Sequence, residues 1–273
     1  MFSPPRAFSG RVSSIIPSGT PIVRPIGHLF QNGSTTKTFV APTDELDVEV
    51  ELGFFIGKPS EHFKRVPITE AEDYIFGVVM VNDWSTRDIQ RTEDFPFAAF
   101  NAKNFASTIS PWVVTLDALE PFRIKPEPRI EDDMLPYLTD PNDSTYDIPI
   151  KMDWRIAGTD EIFECTRTNL RNTYWTFKQM LTFQTLAGCP LRTGDLIATG
   201  TMTGPDLSSY CSLVEKTKAK TELITTPKGN KRFFVEDGDE INYTAWGGSD
   251  TSNAESGKVG FGECRGLILP AIL

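Results

Sequence analysis

Apolar positions in this chain recur in short runs, not at sustained helical intervals, and the runs are broken up by twenty prolines and twenty glycines. That pattern predicts a β-rich body with few helices and long connections. Candidate strands are Val48 to Ile56, Gly77 to Asn82, Ser110 to Thr115, Ile148 to Ile156, Asp195 to Thr199, Glu240 to Ala245 and Val259 to Cys264. Two helices are expected. Ile68 to Tyr74 follows a proline, offers Thr69 as N-cap and places acidic residues in a first turn, where the helix dipole favours them. Asn172 to Ala187 carries Tyr174, Phe177, Met180, Leu181 and Phe183 as a core-facing stripe and ends before Gly188, a residue suited to the C′ position. Leu119 to Tyr146, rich in Pro, Asp and Glu, reads as a long surface excursion of the kind that binds a ligand or clasps a second subunit.

Two carboxylates interrupt the first strand, in Leu46-Asp47-Val48-Glu49-Val50-Glu51-Leu52-Gly53-Phe54-Phe55. Side chains alternate faces along a strand, so Glu49 and Glu51 point one way and Val48, Val50 and Leu52 the other. Adjacent like charges repel, and burial strips their hydration, so a cation is the natural neutraliser of such a pair. Hard divalent ions with oxygen ligands, Mg²⁺ or Ca²⁺, suit it; the alternative is an exposed edge face in water.

Three further blocks carry chemistry. In Val79 to Gln90 an apolar strand runs into a polar turn, and a helix starting near Asp83 puts Asp83, Arg87 and Gln90 on one face. This block offers the third carboxylate that an E-x-E pair lacks; its alternative is an ordinary surface Asp–Arg pair, worth a few tenths of a kcal/mol. Lys103 lies among small and apolar residues in Phe100 to Trp112, either as a site residue or as a lysine snorkelling at a rim. Thr199 to Pro205 is a glycine-flanked turn whose amides and hydroxyls suit a carboxylate or oxyanion, as those of many plain turns do.

Length and charge narrow the classes. A chain of 273 residues buries one sizeable core, and no repeat or composition shift marks an internal boundary, so one domain is expected. A net charge of −10 argues against nucleic acid and against an anionic membrane surface as partners. Glu131-Asp132-Asp133 reads as a solvated loop. Cys165, Cys189, Cys211 and Cys264 are too widely spaced for a CxxC motif and read as reduced thiols. No apolar stretch follows Met1 to Arg6 as a secretory signal would require, and the apolar run Ile75 to Val81 is too short to span a bilayer, so a cytoplasmic location is the expectation.

Taken together, Val48-Glu49-Val50-Glu51-Leu52-Gly53-Phe54-Phe55, Asn82-Asp83-Trp84-Ser85-Thr86-Arg87-Asp88-Ile89-Gln90, Ser110-Pro111-Trp112-Val113-Val114, Gly194 to Thr201 and Gly260-Phe261-Gly262-Glu263-Cys264 resemble the fumarylacetoacetase family, in the family's order. The resemblance implies an α+β, β-rich fold, the mixed β-sandwich roll of the family's C-terminal catalytic domain, and a homodimer. It implies hydrolysis of a carbon–carbon bond in a β-diketo acid, 4-fumarylacetoacetate, to fumarate and acetoacetate, the closing step of tyrosine and phenylalanine catabolism. By the same resemblance Glu49, Glu51 and Asp83 are Ca²⁺ or Mg²⁺ ligands, and Lys103 and Ser107 belong to a second metal position shared with Asp83. Arg87, Gln90 and Lys103 stabilise the negative charge that builds on the substrate, Gln90 and Thr201 bind it, and Glu215 orients a catalytic histidine.

The chain departs from the family at several positions. The family's fourth metal ligand, an aspartate, and its catalytic histidine precede the segment matched by Phe8 to Ser14, as does a small N-terminal β-barrel domain, so residues 1–273 read as the catalytic domain without them. His28 and His62, the two histidines, align to non-catalytic positions. Two substrate-binding tyrosines are replaced, by Phe8 and by Asp94. The sequence therefore fits a catalytic domain from a longer protein, a shortened paralogue that binds metal and dicarboxylate with impaired turnover, or a superfamily acylpyruvase or oxaloacetate decarboxylase. Weak or absent hydrolysis is expected of the isolated chain.

Overall fold

The computed structural model describes residues 5–94, 98–128, 134–248 and 259–273. Ten strands build two five-stranded sheets: β1 (Ile15–Pro17), β2 (Ile22–Val23), β3 (Val50–Ile56), β4 (Ile75–Asp83), β5 (Ser107–Ile109), β6 (Pro149–Arg155), β7 (Ile162–Asn169), β8 (Leu196–Ala198), β9 (Glu240–Trp246) and β10 (Gly260–Leu269). The first sheet has the order β1-β5-β4-β3-β8 and the second β7-β6-β9-β10-β2. Both are antiparallel except at one edge, where β1 runs parallel to β5 and β2 parallel to β10. Helices are short: α1 (Arg87–Glu93), α2 (Leu116–Leu119), α3 (Phe177–Gln184) and α4 (Leu213–Lys216). The architecture is the expected strand-dominated α+β sandwich.

Alternation on β3 explains how the sheets meet. Val50, Leu52 and Phe54 are fully buried, and they join Met80 of β4, Ile150, Met152 and Trp154 of β6, Ile241 and Tyr243 of β9, and Phe261 of β10 in one apolar core. Burying side chains of this size contributes about 1.5–3 kcal/mol each. Gly266 on β10 lets the sheets approach, because a Cβ there would stand 2.6 Å from the buried Trp84 ring. The other face of β3 carries Glu51 out of this core and leaves it free for polar work.

Several expectations need correction. The strand expected from Ser110 to Thr115 lies instead at Ser107–Ile109; Pro111 has no N–H for a ladder, and Val114 makes only an isolated bridge to Val78. Ile68 to Tyr74 forms a 3₁₀ turn at Ala71–Tyr74 that follows Glu70, without a Thr69 cap, because the chain passes at once into β4. The helix expected from Asn172 to Ala187 is confined to α3, capped by Thr176 and Gln179 in a reciprocal box, with Gly188 a few residues past its C-cap at Thr185. Val259 to Cys264 is the start of a strand that runs on to Leu269. Leu119 to Tyr146 is more than a surface excursion, since Leu119, Phe122, Leu138 and Tyr146 are buried and Arg123–Ile124 pairs with Thr145–Tyr146. Glu131-Asp132-Asp133 lies outside the described residues. The four cysteines are free thiols, as expected.

Candidate metal centre

Three strand positions bring the carboxylates together. Glu49 and Glu51 share a face of the segment leading into β3, and Asp83 ends the neighbouring β4, where the register places Val50 opposite Asn82 and Glu51 opposite Val81. Asn82 accepts the Glu49 amide at 3.1 Å, which pins the two segments where their carboxylates converge. Oxygens of Glu49, Glu51 and Asp83 lie within 4.8 Å of one another. Hard oxygen donors at that separation form a group that can hold a metal ion.

Two cations lie among these acids. The Lys103 ammonium is 2.7 Å from both Glu49 Oε2 and Asp83 Oδ2, and the Arg87 guanidinium bridges Glu49 Oε1 and Asp47 Oδ2 at 2.8 Å each. Arg87 also donates to Gln90 Oε1 at 3.1 Å, one turn further along α1. Asp83 is not on this helix: Trp84 is buried and Ser85-Thr86 pair with Leu46-Asp47, so α1 begins only at Arg87. The expected convergence of Asp83, Arg87 and Gln90 holds, but a strand end and a helix start produce it instead of one helical face.

The electrostatics are uneven. Burial would raise the Glu49 carboxyl, yet Lys103 and then Arg87 hold it down at about 2. Glu51 is pushed well above the usual carboxylate range, by burial first and then by the charges of Asp83 and Glu49. Asp83 is raised to about 6, chiefly by burial, with Lys103 opposing the shift and Glu49 adding to it. Counting Asp47, three buried carboxylates and the half-buried Glu49 face the two cations Arg87 and Lys103, so with all four acids ionised the site is two positive charges short. A divalent cation matches that deficit, and the oxygen-only donor set fits Ca²⁺ or Mg²⁺.

The remaining expected residues take varied positions. Ser107 on β5 is the register partner of Asp83. The Phe8 ring lies 5.4 Å from the Lys103 ammonium, and Thr201 is half-buried just after Gly200, whose amide donates to Glu51 Oε2 at 3.0 Å. Gly200 has a φ of +71°, which aims that amide at the carboxylate. Asp94 is exposed at the end of α1 and its amide bonds to the Gln90 carbonyl. Glu215 accepts bonds from Thr203 Oγ1, Ser212 N and Ser212 Oγ, closing the cap of α4; Ser212 is the bridge partner of Glu49. Neither histidine joins the carboxylates, since His28 bonds Thr38 on an exposed hairpin and His62 stacks on Phe63.

Two residues of this network were not singled out from sequence. Asp47, fully buried, accepts Leu213 N at 2.7 Å, Val214 N at 3.0 Å and Arg87 Nε at 2.8 Å. Its place two residues before Glu49 was a clue, because strand alternation gives D-x-E-x-E one acidic face. Glu93 accepts the backbone amides of Phe100, Asn101 and Ala102.

The fold is a two-sheet sandwich with an acidic triad on one strand pair, flanked by a lysine and an arginine, a group that could hold a metal ion. The chain matches the fumarylacetoacetate (FAA) hydrolase C-terminal family over residues 2–267, and it belongs to that family. It is 45% identical to the fumarylacetoacetase fahA of Aspergillus fumigatus and 43% identical to the fumarylacetoacetase of Emericella nidulans, covering 98% of this chain and 62% of each relative. The chain thus spans about three-fifths of the length of these curated relatives. Among solved structures, the fumarylacetoacetate hydrolase of psychrophilic Exiguobacterium antarcticum superposes with a TM-score of 0.55 at 19% identity, over 96% of this chain and 65% of that one, which shows the shared fold. Among the described residues no helix is long and apolar enough to cross a membrane.

Proposed function

We propose that this chain is the metal-binding catalytic domain of a fumarylacetoacetase-type hydrolase, cleaving the carbon–carbon bond of a β-diketo acid such as 4-fumarylacetoacetate, as a homodimer. The single observation that carries this reading is the Glu49, Glu51, Asp83 group, its oxygens within 4.8 Å of one another. Bound there, Ca²⁺ or Mg²⁺ would supply Lewis-acid polarisation of the two diketone oxygens. Arg87 and Lys103 supply fixed positive charge beside the site, where an oxyanion and then an enolate would develop. Gln90 orients Arg87, and Thr201 offers a hydroxyl to the substrate's carboxylate end.

Water attack also requires a base, for which His is the usual choice. Glu215, held against Thr203 and Ser212, is by resemblance to the family the residue that would orient that histidine. A second reading, divalent-ion and dicarboxylate binding with impaired turnover, is favoured by the positions of His28 and His62 away from the carboxylates. Calorimetric titration with Ca²⁺ and Mg²⁺, followed by an assay on fumarylacetoacetate, tests both readings. Ion binding that Glu49→Gln weakens at least tenfold is the expected result; unchanged affinity in that variant removes the metal reading. Turnover at the level of full-length relatives would exclude the second reading.

A further inference from the structure

Lys103 presents a physical problem. A buried ammonium on a surface turn has to be held against two carboxylates, and the turn carrying it, Asn101 to Phe105, belongs to no strand or helix. A lysine stem has four rotatable carbons and a large rotamer entropy to lose, so the backbone beneath it must be fixed. The fixing contact comes from the far end of α1. Glu93 Oε2 accepts Phe100 N at 2.7 Å and Ala102 N at 3.0 Å, and Glu93 Oε1 accepts Asn101 N at 2.9 Å. Three consecutive amides converging on one anion form a nest, and the carboxylate filling it is the chain's own.

The turn is tied on its other side too. The Ala102 carbonyl accepts Thr86 N at 3.0 Å, so the residue before Lys103 is held at both its amide and its carbonyl, by the two ends of α1. Arg87 and Gln90 lie on that same helix. One rigid unit therefore sets the guanidinium, the amide and the ammonium relative to one another.

We propose that Glu93 is a positioning residue: seated on the amides of Phe100, Asn101 and Ala102, its carboxylate holds the Lys103 ammonium between Glu49 and Asp83. Glu93 touches neither reacting atoms nor metal ligands, and it acts through the turn. The proposal rests on the metal-site reading only for its consequence on ion binding, because the placement of Lys103 can be read without any ion.

The deciding experiment is a lysine footprint of the whole chain with an amine-acetylating reagent, read by peptide mass spectrometry. Lys103, Lys178 and Lys216 are all buried and should label slowly in the parent protein. In Glu93→Ala, Lys103 labelling should rise roughly tenfold, the scale of a local opening, while Lys178 and Lys216 stay protected. Glu93→Gln, which keeps one acceptor oxygen, should fall between. Lys103 remaining protected in Glu93→Ala would overturn the proposal, and so would all three lysines opening together. Calcium titration adds a second arm: Glu93→Ala and Lys103→Met should shift affinity in the same direction, and the double variant should match Lys103→Met alone. A further shift in the double variant also counts against the proposal. Absence of any Ca²⁺ or Mg²⁺ binding by the parent chain would instead defeat the metal reading, with the footprint still deciding the role of Glu93.

Discussion

Glu51 and Asp239 are both shut away from solvent, at 3% and 0% exposure. Their surroundings differ completely. Asp239 accepts Trp154 Nε1 at 3.1 Å, Ala157 N at 2.8 Å, Glu236 N at 3.0 Å and Arg232 Nε at 3.2 Å. Glu51 takes the Gly200 amide and otherwise faces the carboxylates of Glu49 and Asp83, with Lys103 the opposing charge nearby. The first is a carboxylate surrounded by donors, and it holds a strand end, a loop and an arginine together. The second is a carboxylate kept short of donors among like charges, an arrangement that costs stability until more positive charge arrives. Burial alone therefore does not separate a structural acid from a ligand; the supply of donors does.

The largest expected effect lies on the structural side. Asp239→Ala should cost about 3–5 kcal/mol, the scale for breaking a buried charge pair, because it leaves Arg232 only its 3.3 Å contact with Glu236 and removes the acceptor of Trp154 Nε1 and Ala157 N. Urea denaturation measures it, and a loss below about 1 kcal/mol would dissolve the contrast with Glu51. Glu51→Gln should do the reverse. A carboxyl raised by folding is destabilising when ionised, so the neutral amide should leave the metal-free protein as stable or more stable at pH 7. Its calcium affinity should meanwhile fall by one to two orders of magnitude, about 1.4–2.8 kcal/mol, by calorimetry.

Arg87→Lys tests the middle ground. A lysine cannot reach Asp47, Glu49 and Gln90 from one planar fork, so about 1–3 kcal/mol of stability should be lost through the uncompensated Asp47. The smallest effect concerns Glu45, a buried acid next to the site. Burial raises its carboxyl, but bonds to Arg91 at 2.8 and 2.9 Å and the nearby Lys220 outweigh burial and hold it below its ordinary value. A lowered folded pKa contributes stability above the unfolded value and loses it as pH falls. The stability gap between the parent and Glu45→Gln should therefore be full at pH 7 and close as pH falls below about 4.5. A gap that widens in acid would reverse the sign of this assignment.

How much of this was legible in the sequence follows from the range of each interaction. Glu49 and Glu51 could be read because strand alternation is local, and Lys103 because a lone lysine among small residues is anomalous. Asp83 was found by a faulty route: nothing local shows that Ser85-Thr86 will pair with Leu46-Asp47 and delay the helix to Arg87. β7 went unnoticed because, at the edge of its sheet, it carries Glu164 and Arg167 on an exposed face and shows no clean apolar run. Asp47 and Glu93 were missed for a related reason. A carboxylate's role there depends on which amides reach it, and for Asp47 the amide of Leu213 comes from 166 residues away.

The two parallel edge pairings bear on how the molecule is made. β1 and β2, only four residues apart, edge opposite sheets, and β2 aligns Ile22 with Ile268 and Val23 with Leu269. β2 thus pairs with residues 246 positions further along the chain. The β2–β10 pairing carries the loop-closure cost of that whole separation, whereas β1 closes on β5 across a much shorter span, so the edge of the second sheet should form later and more slowly than that of the first. Until then the unpaired edge of β10 is open to other strands and is a site where aggregation can begin.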